Sequence, residues 1–174
     1  MYDKKVLGLK ESLGAIEAMI QEVEKGNYWK RGGFAVVDTW GVLIAFARMD
    51  GSNQVPFQQA LRKAYSAVMW GKDTSDLLEF IKERPWDEST YGTEWTVCPG
   101  GVLITEPGYK LDVQDVITTT PELSKLGLAE KTWQFTSPYA IGAIGVSGVG
   151  PYPLDDAVAR VGVEYIQSVL WPGK

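Results

Sequence analysis

The chain has 174 residues, 45% of them hydrophobic and 22% charged, with a formal net charge of −5. That balance describes one folded domain with a proper core, excludes a disordered or membrane-embedded chain, and disfavours nucleic acid or an anionic membrane as partner. The sequence has no histidine, which excludes a Ser-His-Asp triad, a Cys-His pair, a zinc-histidine site and a histidine-ligated heme.

Leu9, Leu13, Ile16, Ile20 and Val23 recur at helical spacing, so residues 6–25 read as an amphipathic helix that ends at Gly26 and covers a sheet. The opening MYDKKVLGLKESLG lacks the apolar run and cleavage site of a secretory leader, and Cys98 has no second cysteine to pair with. A cytoplasmic location is expected. GFAVVDTWGVLIAFARMD holds two apolar runs around Asp38-Thr39-Trp40-Gly41, which predicts a tight hairpin with both strands mostly buried.

PFQQALRKAYSAVMWG predicts a second helix with Phe57, Ala60, Leu61, Ala64 and Val68 on one face and Gly71 as its stop. TSDLLEFIKER predicts a short third helix capped by Ser75 or Asp76, and PWDESTYGTEW a loop. TVCPGGVLIT reads as a turn leading into a short strand. Between Glu106 and Pro138 a strand near 113–118 and a helical turn after Pro121 are expected. YAIGAIGVSG is a strand. PLDDAVARVGVEYIQSVL is a final helix, with Asp155 and Asp156 against its N-terminal dipole and Val158, Val161, Gly162, Tyr165 and Val169 facing inward. This order predicts an α+β fold, an antiparallel sheet covered by helices, in one domain spanning residues 1–174.

AVVDTWGVLIAFARMDG, ALRKAYSAVMWGKDT, CPGG, IGAIGVSG and DDAVARVGVEYI occur in that order. The set resembles the GlcG/HbpS family, the heme-binding-protein-like group that includes the C-terminal domain of PduO. The resemblance implies a profilin- or PAS-like α/β sandwich, assembly into dimers or higher homo-oligomers, and binding of heme or corrinoid-type ligands. Two features depart from it: the missing histidine, and residues 106–138, an expected insertion where a shorter connection belongs.

Arg48 and Asp50 lie two apart, on one face if the strand runs that far, and Lys63 lies on the helix that packs across that end. These three are either a salt-bridge set or a seat for a ligand carboxylate, with Lys63 as base. Gly100 and Gly101 are either a turn or an oxyanion seat. Ser147, in GAIGVSG, is either a packing residue in a glycine-lined strand or a ligand contact. Trp86 and Trp95 are candidate ligand walls, and Glu94 and Tyr91 candidate proton carriers. Cys98 reads as a small, inert, buried residue.

The expected function is a homo-oligomeric small-molecule-binding protein, a metal-free and cofactor-free catabolic enzyme of isomerase, lyase or hydrolase type acting on a small carboxylated or carbonyl compound. The alternative is a heme- or corrinoid-binding accessory protein with an oxygen or sulfur ligand. A structural subunit without chemistry is the third reading.

Overall fold

The computed structural model describes residues 5–82, 94–109 and 139–174. Helix α1 spans Leu9–Lys25, strands β1 and β2 span Gly33–Asp38 and Leu43–Arg48, and helices α2 and α3 span Gln54–Trp70 and Thr74–Lys82. Strands β3 and β4, Gly101–Ile104 and Gly142–Ser147, precede the last helix, α4, Leu154–Leu170. The expected strand near 113–118 and the turn after Pro121 lie outside the described residues.

All strand pairs are antiparallel, in the order β2-β1-β4-β3. Helices cover both faces. Side chains alternate along each strand, so Phe34, Val36, Ile144 and Val146 enter one core with α1 and α4, and Ala35, Val37, Ala143 and Leu103 enter another with α2. This is the α+β architecture expected from the sequence.

The hairpin forms where Asp38-Thr39-Trp40-Gly41 predicts it. Asp38 Oδ1 accepts from the Trp40 and Val42 amides at 2.8 and 3.0 Å, and Gly41 takes φ +75°, a conformation that suits glycine. One expectation fails there: β1 is buried, but β2 lies at the sheet edge with Leu43 44% exposed. The helix faces also differ from the expected ones. Ser12, Ala15, Ile16, Met19 and Val23 are the buried residues of α1, whereas Leu9 and Leu13 are exposed. In α4, Val158, Ala159, Gly162, Val163 and Ile166 turn inward while Tyr165 and Val169 face out. The two helices pack against each other as well as on the sheet, which rotates the buried stripe away from the one read from the largest apolar residues.

Helix α2 runs very close to the sheet. A Cβ at Gly145 would overlap the Ala60 carbonyl oxygen, so the small residues Ala60, Ala64 and Ala67 meet a glycine in the strand beneath. Gly145 and Gly148 thus admit α2, while a Cβ on Gly142 would meet the Val37 carbonyl and Leu7. In the register of the other pair, Ile104 faces Gly142. A tight turn would close those two ends, yet residues 105–141 connect them.

Candidate functional site

Lys63 lies on the face of α2 that meets the end of β4, and its side chain is 4% exposed. Its Nζ donates to Asp155 Oδ2 at 2.7 Å and to the Val146 carbonyl at 2.9 Å. Asp155 Oδ1 accepts from the Val149 amide at 3.1 Å. The first turn of α4, the end of β4 and the middle of α2 are therefore tied at one point. A buried ammonium needs such acceptors, because an unpaired charge there is costly.

The glycine pair belongs to the same knot. A Cβ on Gly100 would lie 3.1 Å from Lys63 Nζ and 2.8 Å from Asp155 Cβ. The Gly101 amide donates to Thr74 Oγ1 at 2.9 Å, and the Gly100 carbonyl accepts from the Val146 amide at 2.8 Å. What the sequence offers as an oxyanion seat is filled by Lys63, Asp155 and Thr74. One turn before Lys63, Gln59 Oε1 is buried with no hydrogen-bond partner among the described residues, the one open acceptor on this face of α2.

Arg48 and Asp50 do not join Lys63. β2 stops at Arg48, Asp50 falls in the following turn, and both are exposed with no ion pair among the described residues. Arg48, Gly33 and Ser147 form one cross-strand row. A Cβ on Gly33 would lie 2.8 Å from the Pro56 carbonyl, so this row faces the first turn of α2. Ser147 is 8% exposed within it.

Beside that row runs an aromatic and aliphatic band. Phe57, Leu61, Tyr65 and Met69 recur every four residues on α2 and flank the β2 edge, where Phe46 meets Phe57 edge-on at 4.7 Å. Tyr65 lies over Gly41 of the hairpin and meets Trp95 at 5.4 Å, and Trp95 meets Trp70 at 5.6 Å. Trp40, Val42 and Val55 beside it are 79%, 61% and 61% exposed, and Phe57 is 40% exposed. The distance from Phe57 to Tyr65 along the helix is about 12 Å at about 1.5 Å per residue. Of the two residues expected on the core face, Leu61 packs against the core beneath α2 while Phe57 is exposed; Tyr65 and Met69 were passed over, and the four-residue spacing was the signal.

Of the other expected site residues, Trp95 joins this band, and Glu94 is exposed immediately before it. Tyr91 and Trp86 lie outside the described residues. Cys98 is exposed. Among the described residues no three His, Cys, Asp or Glu side chains group to hold a metal ion, and no helix is long and apolar enough to cross a membrane.

A second charged cluster stands on the far side of the knot. Arg160 reaches Asp73 Oδ2 and Asp156 Oδ2, each at 2.9 Å, and Asp73 Oδ1 accepts from the Leu103 amide at 2.9 Å. Burial raises the Asp73 carboxyl above its ordinary value, outweighing the Leu103 amide and Arg160, which pull it down. Burial lowers Arg160, but Asp73 and Asp156 together hold it above its ordinary value.

The fold is that of an antiparallel α+β domain with helices on both sheet faces, a closed polar knot on one flank of α2 and an open apolar band on the other. Residues 7–112 match the profile of the family described as Haem degrading protein HbpS-like, and the chain belongs to that family. No curated protein matches the sequence. Among solved structures, a double glutamate-to-aspartate mutant of Streptomyces reticuli HbpS is similar at 24% identity and a TM-score of 0.67, covering 94% of this chain and 89% of that one. A PduOC:heme complex is similar at 16% identity and 0.66, covering 92% and 95%. Klebsiella pneumoniae protein ORFY is similar at 18% identity and 0.67, covering 97% of both chains. These likenesses show the fold.

Proposed function

We propose that this chain binds a heme-class tetrapyrrole on the band between α2 and β2, as a homo-oligomer. The observation that carries the reading is the band itself: Leu61, Tyr65 and Met69 lie half-buried along about two turns of helix beside exposed Phe57, Trp40 and Val42, with exposed Arg48 at the end of β2. A flat apolar ring with carboxylate arms matches that chemistry, and Arg is suited to receive a carboxylate. The heme named for the PduOC structure and the family's description support the same ligand class.

The residues present fit such a group without an imidazole. Tyr65 offers a phenol oxygen, and Met69 Sδ lies 3.7 Å from where a Cβ on Gly41 would stand; both oxygen and thioether donors hold heme iron in proteins. Bound heme would supply the redox chemistry. The chain's own residues would orient the ring through Phe46, Phe57 and Trp95, shield it from water and pair its carboxylates at Arg48.

This reading is preferred over cofactor-free proton transfer because Lys63, the base that reaction requires, has its ammonium committed to Asp155 and Val146. Titration with hemin at micromolar concentration tests it. A saturable Soret shift is expected, weakened about tenfold in Arg48→Ala, a loss of about 1.4 kcal/mol, and moved in wavelength in Tyr65→Phe. An unshifted Soret band overturns the proposal.

A further inference from the structure

The two edges of the sheet are finished differently. On β3 the outward main-chain groups alternate, and side chains take them: Thr74 Oγ1 accepts from the Gly101 amide at 2.9 Å and donates to its carbonyl at 3.4 Å, and Asp73 Oδ1 accepts from the Leu103 amide at 2.9 Å. The Gln167 side-chain amide donates to the Thr105 carbonyl beyond the end of that strand. No further strand can add there without breaking these bonds.

On β2 nothing equivalent is found. The Met49 amide donates to the Gly32 carbonyl at 2.9 Å, so with Phe34 facing Ala47 and Val36 facing Ala45, the groups of Ala45 and Ala47 point to β1. Those of Phe46 and Arg48 point outward, and no described residue hydrogen-bonds to them. Of the usual defences of an edge, LIAFAR has no proline and no lysine, and its register shift against β1, between Val36 and Val37, falls near its start and leaves Phe46 and Arg48 in regular pairing. Trp40, Val42 and Leu43 are exposed at its start, and Val55 and Phe57 beside it.

We infer that β2 is the assembly edge of this protein, and that its partner strand is β2 of a second copy, paired antiparallel about a two-fold axis within Leu43–Arg48. A self-pairing edge suits a closed dimer, because two-fold symmetry consumes both open edges at once and leaves only the capped β3 edges outside. The single charge of the strand, Arg48, sits at its end, so two antiparallel copies keep their arginines apart. The pairing runs in the plane of the sheet and leaves the α2 face of Phe46 and Arg48 free. It therefore does not rest on ligand binding.

Sedimentation equilibrium and residue-resolved amide exchange of the ligand-free protein test this. A dimer is expected, with the Phe46 and Arg48 amides protected and losing protection on dilution to the monomer. Arg48→Pro removes one outward donor while sparing the bonds to β1, and should raise the dimer dissociation constant at least tenfold. Arg48→Ala, which keeps the amide, should stay dimeric. Four results overturn the inference: a wild-type monomer at tens of micromolar, a dimer in which these two amides exchange freely, protection of them in the monomer, or equal dimerisation of the two Arg48 variants.

Discussion

Lys63 and Asp155, on different helices and 92 positions apart in sequence, meet at 2.7 Å with the lysine side chain only 4% exposed. The pair joins the middle of α2 to the first turn of α4 over the Val146 carbonyl.

Breaking that pair strands a charge. Asp155→Asn should cost about 3 kcal/mol, because it strands the Lys63 ammonium, the more buried of the two charges, and Lys63→Met should cost somewhat less because the Asp155 left behind is partly solvated. The double variant should recover part of the loss. Urea unfolding of the four proteins measures the coupling, and purely additive effects would show that the two do not act as a pair.

Gly145→Ala should be among the most damaging single methyl additions in the chain. The added Cβ would overlap the Ala60 carbonyl oxygen, and backbone on both sides leaves α2 to shift. A loss of about 3 kcal/mol is expected, seen as a lower melting temperature. Gly8→Ala, at φ −101° and with only the movable Glu11 carboxylate to meet, serves as the control.

Thr74→Val keeps the shape of a fully buried side chain and removes the group that caps Gly101. The orphaned amide should cost about 1–3 kcal/mol. Amide exchange at Gly101 should rise more than at Ile104, and equal acceleration of both would indicate global loosening instead.

Asp73 gives a pH dependence of unusual sign for a carboxylate. Burial raises its folded value above the unfolded one, so the native state binds the proton more tightly. The stability this contributes is complete below about pH 4 and is lost as pH rises through the raised folded value. The stability difference between wild type and Asp73→Asn should therefore shift against wild type as pH rises from about 3.5 to 7. Urea titrations across that range measure it, and a flat difference would refute the raised value.

Much of the architecture is legible in local pattern. The helical spacing from Ile16 to Val23, the Asp38-Gly41 turn, Gly71 as the stop of α2 and the apolar run at Gly142–Ser147 each reflect forces within a few residues: backbone conformation, capping and alternation of side chains. The ordered motifs also carried the family: AVVDTWGVLIAFARMDG, ALRKAYSAVMWGKDT and CPGG lie within the matched residues 7–112, and IGAIGVSG and DDAVARVGVEYI beyond them.

The site was legible only in its residue types. Lys63 stood out in sequence, but Arg48 and Asp50 were nearer along the chain than Asp155, and helix periodicity gives no information about which strand end a lysine will overlie. Sequence by itself determined where the chain turns, coils and extends, since those choices are settled locally. Tertiary structure alone decided that β2 is an edge, that Lys63 belongs to Asp155, and that Gly100 and Gly101 face a filled knot, since burial and charge pairing depend on segments that meet only when the sheet closes.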